Sequence, residues 1–328
     1  MRPPFKVSHH NHQNSYPLPS CRVDGLLFQV GLDHLVLVGG YDEKRKPLAV
    51  CDYFDTPMKR WTRTRIPAVP LHSTHGDMSP IRCVGAGHDD TVRFLEMTNG
   101  KSYVHRLQPA GGGWVEEYCD ERVFEDGVIP VQFSEYGLCT TWHEELQCLC
   151  VLMRNHTSHK VAPLIYDLRS RRPVYASAEC ALDEDDFSLI GGDLGRLYLV
   201  GGTTTTTADY SHAFRVYDLR MCALSGQCTL LHGRRRPALC TFQDRVYVSG
   251  GIATDNSFTS LTGASVECVT TTNVLSTAPC FANFMCGRTR HAFLVSEQQQ
   301  QHIHMVVAGG ESHKPGAKTS EHLTVAMV

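Results

Sequence analysis

One pattern recurs along the chain: a short apolar run that ends in two glycines. It stands at Leu35-Val36-Leu37-Val38-Gly39-Gly40, Leu197-Tyr198-Leu199-Val200-Gly201-Gly202, Val246-Tyr247-Val248-Ser249-Gly250-Gly251 and Met305-Val306-Val307-Ala308-Gly309-Gly310. The first glycines are at 39, 201, 250 and 309, in steps of 162, 49 and 59. The longest step is three times 54, so two further copies without glycines are expected near positions 93 and 147. Apolar runs lie close to both, at Val92-Arg93-Phe94-Leu95-Glu96-Met97 and from Leu146 to Met153. Each copy is flanked by other strand-like stretches. An alternating run ending in an aromatic and an acid follows, as in Val50-Cys51-Asp52-Tyr53-Phe54-Asp55, Leu164-Ile165-Tyr166-Asp167 and Phe214-Arg215-Val216-Tyr217-Asp218. A further strand comes after it, clearest around Trp61, and another apolar run precedes each glycine pair, as in Ala238-Leu239-Cys240-Thr241-Phe242.

Four short strands per unit of about 50 residues describe one blade of a β-propeller. Six units of 54 residues need 324 positions, and the chain has 328. The order of apolar strand, glycine pair, aromatic-Asp strand and Trp strand resembles the kelch repeat. The resemblance spans essentially the whole chain and is degenerate in units two and three. It implies an all-β, six-bladed kelch-type propeller of antiparallel four-stranded blades, the first strand innermost. It also implies that the glycine pairs pack near fourth-strand aromatics, a place that Trp61 and Trp114 fit. The expected blades are residues 21–67, 68–120, 121–181, 182–232, 233–283 and 284–328, forming a single domain. The sixth lacks a fourth strand at the C-terminus. Residues 1–20 are expected to supply it, with a strand at 4–8 and an exit loop at 16–20, pairing an otherwise exposed edge.

With 42% hydrophobic residues the chain can bury a sizeable core, and a net charge of −3 provides no broad basic footprint for nucleic acid. No apolar run reaches the length of a membrane span. Fourteen scattered cysteines without a C-x-x-C pair, and no signal-like start, point to reduced, mostly buried thiols and a cytoplasmic location.

Loops after the second and fourth strands of an antiparallel blade emerge on the same face, and here they are the long ones: 41–46, 203–211, 252–263 and 311–320 after second strands, and 68–81 and 121–137 after fourth strands. Long loops on one rim of a rigid scaffold are where binding residues concentrate. Arg22, Arg82, Arg234, Arg235, Arg236, Arg288 and Arg290 gather on that rim. A guanidinium fork suits carboxylates, so these seven are the candidate partner-binding residues for an acidic protein segment. Their other reading is support of the fold, because kelch units often carry Arg or His just before the first strand.

Eighteen histidines prompt a search for metal sites. His9, His10 and His12, the pairs His72/His75 and His156/His159, and His302/His304 lack further ligands at the spacing of closed zinc sites. The run Asp183-Glu184-Asp185-Asp186 is read as a solvated turn, and Thr203 to Thr207 and Gln298 to Gln301 as flexible excursions. No phosphate loop, nucleophile elbow or zinc-protease signature occurs, so neither catalytic residue nor cofactor is expected. The leading expectation is a protein-interaction scaffold or adaptor within a larger assembly, without a BTB or F-box domain. The alternative is an enzyme with its site at the channel mouth, of the kelch-type oxidase, epimerase or lyase kind.

Overall fold

The computed structural model describes residues 12–30, 34–44, 46, 48, 50–63, 81–86, 92–98, 101–108, 113–120, 128–130, 132–134, 137–138, 140–143, 145–155, 160–167, 172–175, 180–182, 184–252, 264–271, 275–284, 288–289, 291–298, 302–311 and 319–326. Every named element among them is a β-strand, and all the strand pairs are antiparallel.

The first sheet runs Leu26–Val30, His34–Val38, Cys51–Asp55, Arg60–Arg63, in chain order across the sheet. The second is Ile81–Ala86, Val92–Thr98, Lys101–Gln108, Gly113–Asp120. The fourth is Ser188–Gly191, Arg196–Val200, Ala213–Asp218, Ala223–Thr229, and the fifth is Ala238–Phe242, Arg245–Ser249, Ser265–Thr270, Ser276–Asn283. The third departs from this scheme. Val128–Pro130 and Thr140–His143 share one edge of Cys148–Asn155, and Arg172–Tyr175 and Cys180–Ala181 share one edge of Lys160–Asp167.

The sixth sheet runs Ala292–Gln298, His302–Ala308, Thr319–Ala326 and then His12–Pro17 from the other end of the chain. The register of that last pair is His12 opposite Thr324 through Pro17 opposite Thr319. The paired strand therefore lies at 12–17, where an exit loop and a histidine tract were expected. The predicted strand at 4–8 lies outside the described residues.

Burial explains why some strands read as unbroken apolar runs. Arg196–Val200 and Arg245–Ser249 are buried at every position after the first, so both faces are covered. The last strand of the fourth sheet, Ala223–Thr229, alternates between half-buried and exposed positions, as an outer strand does. The core is divided among the gaps between sheets. Leu152, Leu189, Leu197 and Tyr217 fill the gap between the third and fourth, and Tyr198, Phe214, Val246 and Val248 that between the fourth and fifth. Tyr247, Val266, Phe293 and Met305 lie between the fifth and sixth, and Leu37, Phe54, Trp61 and Val306 between the sixth and first. Burying each such side chain contributes about 1.5–3 kcal/mol.

First strands are neighbours from sheet to sheet. Leu26–Val30 lies beside both Ile81–Ala86 and Ala292–Gln298, Thr140–His143 beside both Ile81–Ala86 and Ser188–Gly191, and Ala238–Phe242 beside both Ser188–Gly191 and Ala292–Gln298. Among the described residues, Cys21, Cys51, Cys148, Cys150, Cys180, Cys222, Cys228, Cys240 and Cys268 are free thiols.

Candidate functional site

The arginines sort themselves by what their side chains reach. Arg22, Arg234 and Arg288 each stand four residues before the first strand of a sheet, and each is about 1% exposed or less. A buried guanidinium needs a carboxylate and acceptors for its remaining N–H groups. Arg234 donates from Nε and Nη2 to Glu267 Oε1 at 2.9 and 2.7 Å, from Nη1 to the Gly250 carbonyl at 2.6 Å, and from Nη2 to Ser265 Oγ at 2.6 Å. Arg288 repeats the set, donating to Glu321 Oε1 at 2.7 Å, the Gly309 carbonyl at 2.7 Å and Thr319 Oγ1 at 2.8 Å. Arg22 donates to Asp52 Oδ2 at 2.6 Å, to the Val50 carbonyl at 3.1 Å and to the Gly39 carbonyl.

The three carboxylates hold one register. Asp52, Glu267 and Glu321 lie opposite Leu37, Val248 and Val307, each two residues before the first glycine of its pair. The arginine backbone completes the unit. The second glycine of one sheet donates its N–H to the arginine carbonyl that precedes the next: Gly202 to Arg234 at 2.7 Å, Gly251 to Arg288 at 2.9 Å, and Gly310 to Arg22 at 2.7 Å. The last of these joins the sixth sheet to the first.

This contact accounts for the glycines better than aromatic packing does. A Cβ at Gly201 or Gly309 would overlap the carbonyl oxygen of Arg234 or Arg22, and both residues have positive φ, 68° and 69°. Trp61 was expected to cover a glycine pair. It packs instead against Phe54, at 5.2 Å between ring centroids, and donates from Nε1 to Ser320 Oγ of the sixth sheet at 2.8 Å.

The fourth sheet carries the same tie with its charges exchanged. Glu184 stands four residues before the first strand, and Arg215 lies opposite Leu199, two residues before Gly201. Arg215 Nη2 donates to Glu184 Oε1 at 2.6 Å, and Ser211 Oγ donates to the same oxygen at 3.4 Å. A small, partly open pocket adjoins the pair, lined by Leu182, Phe187, Leu199 and Ala213 among others.

These positions correct three expectations. Arg22, Arg234 and Arg288 are consumed inside the protein and offer no fork to a partner. The acidic run is not a solvated turn: Glu184 is buried in the ion pair, and Asp186 accepts from Arg235 Nε at 2.7 Å and Arg236 Nη2 at 2.9 Å. The threonine run is ordered, because Thr203–Thr204 pairs with Glu184–Asp185 and Thr204 Oγ1 lies 2.6 Å from Thr207 Oγ1.

Of the seven candidate arginines, Arg235 and Arg236 remain at the surface, with side chains 32% and 13% exposed. Arg82 lies on the first strand of the second sheet, and Arg290 lies outside the described residues. The signal that could have found the ties is the four-residue offset of Arg22, Arg234 and Arg288 from a first strand, combined with an acid 30–33 residues later. Thiol chemistry has little support here: burial pushes Cys51 up to about 12 despite the neighbouring Arg22, and pushes Cys240 and Cys268 up to about 11.

No family model matches the chain, and no curated protein sequence matches it. Among solved structures the chain is similar to the one described as "Structure of YjhT", with a TM-score of 0.60 at 12% identity over 95% of this chain and 96% of that one. At that identity the likeness concerns the fold alone, and together with the antiparallel sheets it gives an all-β, β-propeller-like architecture.

Proposed function

We propose that the protein is a six-bladed, kelch-type propeller that serves as a protein-interaction scaffold or adaptor rather than as an enzyme. Six sheets of four or more strands, first strands that adjoin one another in turn, and an N-terminal strand on the last sheet support a ring closed from both ends of the chain. Removing residues 1–20 tests the closure, since it leaves Thr319–Ala326 with an unpaired edge and should lower the melting temperature markedly.

The observation that carries the functional reading is a stiff frame with a half-exposed arginine pair at its edge. Buried arginines lock the glycine pairs of the first, fifth and sixth sheets. Arg235, half-exposed and held by Asp186, sits beside them and can exchange that internal carboxylate for one from a partner. Affinity purification at native expression, with the wild-type chain and with Arg235→Glu, tests this. A partner that is retained by the wild type and lost from the variant supports the reading. Equal capture by both overturns the role of Arg235, and stoichiometric copper or iron in the purified protein would favour an oxidase or lyase instead.

A further inference from the structure

The sixth sheet is flanked by buried histidines on both sides. Towards the fifth sheet, His291 is 6% exposed and its Nε2 lies 3.1 Å from Ser249 Oγ. The titratable groups turned to it are Arg288 and Arg234, both cationic, whose carboxylates Glu321 and Glu267 are already engaged. Towards the first sheet, His322 is 6% exposed and packs in a layer made by four elements. His304 of the adjacent strand lies 5.4 Å away between ring centroids, Phe54 of the first sheet 4.5 Å, and Tyr16 of the N-terminal strand 4.9 Å. His322 Nε2 lies 3.1 Å from Ser320 Oγ, which accepts from Trp61 and lies 3.5 Å from the Tyr16 carbonyl. His304 and Tyr16 are the titratable groups that face His322, and Glu321 is tied to Arg288.

We propose that the sixth sheet, together with the N-terminal strand paired to it, is an acid-releasable element whose docking against the first and fifth sheets depends on neutral histidines in both interfaces. A proton added at either flank would place a cation in an apolar layer or beside two arginines, with no uncommitted carboxylate among the described groups that face it. The proposal rests on these contacts and not on the partner-binding reading.

Burial holds His291 and His322 down at about 3 and His304 at about 4, below the ordinary value of 6.5. A depressed histidine favours the docked state fully above the ordinary value. That contribution is lost as the pH falls from about 6.5 towards the folded-state values. At pH 5 one such histidine shifts the opening equilibrium by about thirtyfold.

Hydrogen exchange of the full chain at pH 7.5 and pH 5, corrected for the intrinsic rate, reads this directly. Ala213–Asp218, the third strand of the fourth sheet, serves as the internal reference, because the buried His143 of the third sheet lies at the Asp193 to Arg196 turn beside the first two strands. Protection over His12–Pro17 and Thr319–Ala326 should fall at least about tenfold relative to Ala213–Asp218 at pH 5. The double variant His304→Gln, His322→Gln should show a smaller pH dependence on the N-terminal strand than the wild type, with only His291 left to titrate. Equal loss of protection in the fourth and sixth sheets overturns the proposal, as does an unchanged pH response in the double variant. The wild-type comparison stands whether or not the variant folds.

Discussion

The fifth and fourth sheets contain the same buried ion pair with its ends exchanged. In the fifth, the cation precedes the first strand and the anion lies on the third, Arg234 to Glu267. In the fourth the order is Glu184 to Arg215. The two ties are not equal in what they hold. Arg234 has enough donors to reach Glu267, two backbone carbonyls and a hydroxyl, so it stitches the glycine pair to the third strand of its own sheet. Glu184 has no donor to offer the Gly201 carbonyl, and a small, partly open pocket adjoins it. The register at this site is therefore preserved without preserving the charge order, which identifies the site as a tie within the fold.

The largest expected effect comes from removing the cation of the fully enclosed pair. Arg234→Met should lower the free energy of unfolding by about 3–5 kcal/mol, because Glu267 is left buried without its counter-ion. Denaturant titration measures it. Arg215→Met should cost less, since Arg215 is 24% exposed against 0% for Arg234. Next come the glycines. Gly195 and Gly201 share a positive φ of about 70°, but a Cβ at Gly195 makes only ordinary contact with the Arg220 side chain, at 3.5 Å, and one at Gly201 overlaps the Arg234 carbonyl. Gly195→Ala should cost about 1–2 kcal/mol from the left-handed backbone alone, and Gly201→Ala about 3 kcal/mol. Equal losses would remove the close approach as the reason for the pair. Trp61→Phe removes the bond to Ser320 and should cost about 1–3 kcal/mol in the same titration. The smallest effect is expected at Arg235→Ala, within about 1 kcal/mol, because its pair with Asp186 is partly open to water.

Much of the fold was legible because it is written locally. Second strands buried on both faces gave continuous apolar runs, and glycines with positive φ marked their ends, as at Val38-Gly39-Gly40. The third sheet was harder, since its two edges are each shared by two short strands and no glycine pair marks it. The N-terminal strand was misplaced by several residues. His12–Pro17 is an outer strand, with Asn14, Ser15 and Pro17 exposed, so it carries little apolar alternation to reveal it. The arginines were noticed, but whether each points outward or inward depends on an acid some 30 residues away, and spacing alone did not settle that. The Glu184 to Arg215 tie was hidden altogether, because exchanging the charges leaves no recurring residue to find.

The position four residues before a first strand and its partner on the third strand form one buried tie, whichever end bears the charge. The coupling energy between residues 184 and 215 tests it most directly, from the unfolding of the wild type, Glu184→Arg, Arg215→Glu and the double exchange. Each single change should be strongly destabilising, with two like charges buried together, and the double exchange should recover at least half of the summed loss by recreating the arrangement of the fifth sheet. A double exchange whose loss equals the sum of the two single losses would contradict the account.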